Sequence, residues 1–175
     1  MNTKRIALDA VLTALALAIF TVEQLIVIPI PVPGVKLGLS NVVTLFAVFA
    51  VSPIDAGIIL ALRIGLGSIF SGSVTGFLFS LSGGLLCYIV TVLLSKIIKD
   101  NQIWICGIFG AIAHSIGQIF AAYFIMGTAE IFIYLPVLVA CSVLTGGLTG
   151  SLSQLSTVKL KKIFPFLPFD KKTKK

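Results

Sequence analysis

The chain has 175 residues, 58% of them hydrophobic and 11% charged, with a formal net charge of +7. Soluble domains run at roughly 45–50% apolar and about 25% charged, so a solvent-facing globular domain is excluded and an integral membrane protein, one compact domain over residues 1–175, is expected. The basic residues cluster at the edges of apolar runs and form no folded basic face interleaved with aromatics, which excludes nucleic acid as a partner and leaves the lipid bilayer.

In chain order, Lys4 and Arg5 precede an apolar run, Ile6 to Ile28, that is too long for the roughly 7–15-residue core of a cleavable signal, so it is expected to stay as a first span. Ala10, Ala14 and Ala18 stand four apart on it, a small-residue stripe that lets another helix approach closely. Pro29, Pro31 and Pro33 then remove backbone donors, and Gly34 and Gly38 permit turns. Pro29 to Gly38 therefore reads as a loop dipping toward the bundle, a lid candidate carrying Lys36.

Further spans are expected at Leu37 to Val51, which is short, Pro53 to Phe70, Ser73 to Ser95, Ile103 to Met126 and Ile131 to Thr157, with a basic tail over 158–175. Ser52-Pro53-Ile54-Asp55 separates the second from the third, because proline suits a helix's first turn. Glycines at Gly65 to Gly72, Gly83-Gly84 and Gly146-Gly147 with Gly150 point to close helix packing. Cys87, Cys106 and Cys141 lie in apolar runs without metal-ligand spacing and read as small buried residues.

Six spans place both termini on one side. Lys4, Arg5, Lys96, Lys99 and the seven lysines from Lys159 to Lys175 share that side against Lys36 alone, so both termini are expected to be cytoplasmic. The fold class is thus an all-α, multi-pass membrane protein of six helices.

Ionisable groups inside hydrocarbon cost perhaps ~3 kcal/mol each and usually face a cavity or a partner. Here they are few: Glu23 and Gln24 late in the first span, Asn41 early in the second, Arg63 midway through the third, His114 and Gln118 midway through the fifth. His114 and Gln118 are four apart and share a helix face, suited either to a common ligand or to a structural hydrogen bond. Arg63 needs a carboxylate, several carbonyls or an anionic ligand, and Glu23 is expected either to pair with it or to contact the ligand. Lys36 and Ser40 would complete the ligand set, although Lys36 in an ordinary turn could equally snorkel to water. Glu130 reads as a solvated loop residue.

Catalytic motifs are missing. There is no G-x-x-x-x-G-K-[ST] phosphate loop, and Asp9, Asp55, Asp100 and Asp170 form no acidic cluster for Mg²⁺-diphosphate chemistry. His114 has no neighbouring serine or cysteine in a triad-like constellation that the sequence reveals. An enzyme acting alone is not expected, nor a cofactor, a metal or a catalytic residue.

Five stretches, PGVKLGLSN (Pro33 to Asn41), LRIGLGSIFSG (Leu62 to Gly72), FSLSGG (Phe79 to Gly84), GAIAHSIGQI (Gly110 to Ile119) and YLPVL (Tyr134 to Leu138), in this order and spacing resemble the bacterial membrane family labelled heptaprenyl diphosphate synthase component I, also called the Gx transporter family. The family often has asparagine after the histidine, where Ser115 stands here. That family is similar to the substrate-binding S components of energy-coupling factor (ECF) transporters, six-helix proteins with an outward pocket gated by the first inter-helix loop. The resemblance implies residence in the bacterial cytoplasmic membrane and docking through Ala10, Ala14 and Ala18 on a transmembrane T subunit coupled to two ATPases. Ligands in keeping with a partly basic pocket are a vitamin-like molecule, a quinone or flavin precursor, or an isoprenoid phosphate. The label itself implies an alternative, a membrane subunit of a polyprenyl diphosphate synthase that binds an isoprenoid diphosphate or recruits the catalytic chain. A structural or assembly protein without a ligand is the third reading.

Overall fold

A computed structural model describes residues 3–26 and 36–163. The described residues are helical with no strand: α1 (Thr3–Glu23), α2 (Asn41–Ala50), α3 (Pro53–Ser71), α4 (Val74–Leu94), α5 (Ile103–Met126) and α6 (Leu135–Ile163), with short 3-10 turns at Asp100–Gln102 and Ala129–Tyr134. All but α2 are long and apolar enough to cross a membrane. Most of the expected lid, Pro29 to Val35, lies outside the described residues, as does the tail beyond Ile163.

Local chemistry sets the helix ends. Ser52, in extended backbone, accepts the Ile54 amide through its side chain, Pro53 takes the first turn and Asp55 places a carboxylate near the positive end of the α3 dipole. Gly72, at φ 61°, ends α3 in the left-handed conformation, and Ser73 caps α4 by accepting the Gly76 amide at 3.0 Å.

Two ends differ from expectation. Asn41, not Leu37, begins α2, because the amides just before it are held by a side chain of α1 and not by an intrahelical ladder. With ten residues α2 is about 15 Å long at 1.5 Å per residue, half of the roughly 30 Å hydrocarbon layer. Nine of its ten residues are buried, so it is a plug inside the bundle and not a lipid-facing span. At the other extreme, α6 runs on to Ile163, so the first part of the expected tail is helix.

Around this plug, α1 lies against α3, and α4, α5 and α6 pack side by side. Glycine makes the close approaches. A Cβ on Gly107 would lie 2.5 Å from the Gly146 carbonyl oxygen, one on Gly150 would lie 2.7 Å from the Cα of Trp104, and one on Gly117 would lie 2.6 Å from the Ser82 carbonyl oxygen. Gly147 meets nothing closer than 4.0 Å and carries no such contact. Large apolar side chains such as Leu66, Ile69, Phe70, Leu144 and Leu148 cover the outside, as a bundle in lipid requires.

Candidate functional site

The last turn of α1, the start of α2, the middle of α3 and the middle of α5 bring together all seven side chains singled out as ligand residues. Glu23, Ser40, Asn41, Arg63, His114 and Gln118 are buried, and Lys36 is partly so. Gln24 is exposed beyond the end of α1, outside the cluster, and Glu130 is exposed in its loop.

Glu23 uses its carboxylate on the backbone ahead of α2. Oε1 accepts the amides of Gly38, through a short hydrogen bond, and Leu39, at 3.0 Å. Oε2 accepts the Ser40 amide and hydroxyl, both at 3.5 Å. These amides precede the first turn of a helix, where the ladder offers no acceptor. Gly38 has φ 76°, the left-handed region that glycine enters freely, and a Cβ there would meet Asn41 and His114 at 3.0 Å.

Arg63, 2% exposed, extends beneath this turn, where Nη1 donates to Ser40 Oγ at 2.5 Å and Nη2 to Asn41 Oδ1 at 3.3 Å, while Nε has no partner. Among the described residues the ion pairs are Arg5 with Asp55 and Lys161 with Asp100. Direct pairing of Glu23 with Arg63 is therefore corrected: Ser40 stands between them, because the Glu23 carboxylate is drawn to the unladdered amides and the guanidinium reaches only the hydroxyl behind it.

Asn41 continues the chain of contacts. With Oδ1 committed to Arg63, Nδ2 faces Nδ1 of His114 at 3.1 Å. On the far side of the ring, Gln118 Nε2 lies 3.0 Å from His114 Nε2, and Gln118 Oε1 accepts the backbone amide of Lys36 at 3.3 Å. A neutral imidazole offers one lone pair and one N–H, so it accepts from only one of two carboxamides. Gly83 of α4 makes room for the ring, since a Cβ there would lie 2.8 Å from His114 Cε1 and Nδ1. Ser115 turns away to Ser142 of α6, with the two hydroxyls 2.6 Å apart, so the position after the histidine ties α5 to α6 and does not serve the cluster.

Phe20, one turn before Glu23, was not distinguishable in sequence from any other aromatic of an apolar helix. Its ring carries the Lys36 ammonium 3.7 Å above its centroid, with the Arg63 guanidinium 5.8 Å away. Gly67 yields the space for that ring, a Cβ there falling 2.8 Å from Phe20 Cε1. Burial pushes the Lys36 ammonium down to about 8, with Glu23 opposing the shift and Arg63 adding to it. Two cations and one carboxylate give the cluster a formal charge of +1.

The cavity adjoining the cluster, lined by Gly38, Asn41, Cys87, Thr91, Gly110 and Thr149 among others, has about 10 Å³ of open space, room for one water. Among the described residues no three His, Cys, Asp or Glu side chains converge as a metal site.

A family model described as heptaprenyl diphosphate synthase component I matches residues 12–156. The chain belongs to that family. The match takes in every residue of the cluster and all of α2 to α5. No curated protein and no solved structure matches it.

Proposed function

We propose that the chain is a ligand-capturing membrane subunit, S-component-like, that takes a small anionic molecule from the extracytoplasmic side and works within an ATP-driven uptake assembly. The observation that carries this reading is the cluster itself: a buried arginine with no carboxylate partner among the described residues, set among hydrogen-bonding side chains from α1, α2 and α5 and shut by the residues that end the α1–α2 connection. Such an arrangement is costly as scaffolding and useful as a site, since a permanent cation in a low-dielectric interior gains most when an anion arrives. The asymmetry of the basic residues sets that end away from the cytoplasm. Lys36 and Arg63 would attract the anionic group, while Ser40, Asn41, His114 and Gln118 would direct hydrogen bonds to the remainder.

Ala10, Ala14 and Ala18 are all exposed among the described residues, so the stripe is open to a transmembrane T subunit coupled to two ATPases. The family description favours a second reading, a membrane subunit of a heptaprenyl diphosphate synthase with a separate catalytic chain as partner. An isoprenoid tail would suit the apolar groove beside Leu12, Leu15, Ile19, Val42, Phe46 and Leu160, but that groove shares no lining residue with the Arg63 cluster, where a diphosphate would sit.

Gentle purification of the C-terminally tagged protein from its own membranes, followed by mass spectrometry, separates the two. Recovery of a T subunit and ATPases that Ala14→Leu abolishes supports uptake. Recovery of a soluble prenyltransferase, with loss of long-chain product when this chain is deleted, overturns it in favour of the synthase.

A further inference from the structure

Resting on the anion-binding reading of this site, we infer that the structure is the self-occupied state: Glu23 is the protein's own stand-in for the ligand's carboxylate-sized anionic group, and the ligand binds by displacing it from the seat formed by the Gly38, Leu39 and Ser40 amides.

Three observations lead there independently. The first is the donor set. Three consecutive main-chain N–H groups and a serine hydroxyl converge on one carboxylate, with a glycine in the left-handed conformation opening the turn. This is the concave amide nest that proteins use for carboxylates and phosphates generally. α2, ten residues long and buried, supplies the aligned dipole behind it.

The second is the arginine. Its guanidinium is directed at Ser40, the residue that closes the seat, and its Nε remains unpartnered although the residue is 2% exposed. A guanidinium can serve an anion through more than one N–H, and here one buried donor is unused. Glu23 cannot satisfy it, being anchored at the end of α1 with Ser40 in the way. A free anion has no such tether.

The third is space. The adjoining cavity is water-sized, too small for an anion such as a carboxylate. The seat is the part of the cluster already shaped around an anion. Once displaced, Glu23 loses its hold on the amides of Gly38, Leu39 and Ser40, and the same event that admits the ligand frees the segment that covers it.

Chemical rescue tests this on the full-length protein in nanodiscs, with acetate as the probe and chloride at equal ionic strength as the reference. Glu23→Ala is expected to be stabilised by acetate, saturably, with half-saturation at least about tenfold lower than for the parent protein. The response should vanish when Arg63→Gln is added. Glu23→Gln, which keeps the side-chain volume, replaces Glu23→Ala if that variant is not recovered folded, with the same ordering expected. An acetate response in the parent protein that depends on Arg63, but is no stronger without the Glu23 carboxylate, overturns self-occupancy while leaving the anion site standing. Absence of any specific acetate response in all these proteins overturns both.

Discussion

The chain has two arginines, one at the start of α1 and one in the middle of α3, and they are treated differently. Arg5, at the start of α1, donates through Nε to Asp55 Oδ2 at 2.6 Å, with Nη2 also 2.6 Å from that oxygen, across to the start of α3. One turn further along α1, Asp9 is buried with neither carboxylate oxygen hydrogen-bonded among the described residues, so that end carries two acids against one arginine. Arg63 has the reverse setting, with two cations against one acid and the acid turned to the backbone. A membrane bundle that can neutralise a cation internally does so at the Arg5 end. Arg63 is left to neutral oxygens among the described residues, and that is the setting the anion-binding proposal uses.

The largest effect that would break this contrast is at the Arg5 end. Arg5→Met strands the buried Asp55 carboxylate, and removing one partner of a buried pair costs roughly 3–5 kcal/mol. The Arg5 side chain is 34% exposed, so screening reduces this to about 2–3 kcal/mol. Chemical unfolding should record that loss while ligand affinity stays put. A parallel fall in affinity would mean that the two ends are one coupled network.

At the Glu23 end the expectation inverts. Arg63→Met should lower affinity for an anionic ligand by about 10- to 100-fold, the equivalent of one or two charged hydrogen bonds, with Glu130→Ala as the silent control. Its stability should hold or rise, since a buried guanidinium with an unpartnered Nε is removed. If unfolding shows a loss like that of Arg5→Met, Arg63 is scaffolding and the contrast is gone.

Gly38→Ala comes next, at about 1–2 kcal/mol, because it forces an L-residue to φ 76° and sets a methyl group 3.0 Å from Asn41 and His114. Thermal unfolding with and without ligand would sharpen the comparison. A loss confined to the ligand-free form ties the turn to the closed state, whereas equal losses in both make it plain local strain.

Much of this was legible in the residues and some was not. Glu23, Asn41, Arg63, His114 and Gln118 stand out because polar side chains in apolar runs are rare, and the four-residue spacing placed His114 and Gln118 on one face. Pairing across helices has no such spacing. Arg5 and Asp55 are fifty positions apart, and nothing in either run reports the contact. Whether Glu23 would choose Arg63 or the backbone depended on where α2 begins. Leu37 and Leu39 read as membrane span by hydropathy, while the structure uses that stretch as a turn. The glycines were legible as close packing without their partners: Gly83 admits an imidazole and Gly146 a neighbouring backbone, two different uses of the same missing side chain.

The smallest effect, once solvent screening of the half-exposed Lys36 is allowed for, is a pH dependence, and its sign can be worked out. Lys36 holds its proton less tightly in the folded protein, near 8, than in the unfolded chain, near 10.5. Between these values the unfolded state binds more protons, so stability should rise modestly with pH from about 8 to about 10.5, a trend that Lys36→Met removes. Affinity for an anion should move the other way, falling as the ammonium is lost above pH 8. The two trends are linked through one proton. An anion seated beside Lys36 favours its charged form, so binding near pH 8 to 9 must draw a proton from solution. Calorimetric titrations in buffers of different ionisation enthalpy would record that uptake. Binding with no uptake at that pH would place the ligand's charge away from Lys36 and leave Arg63 to hold it alone.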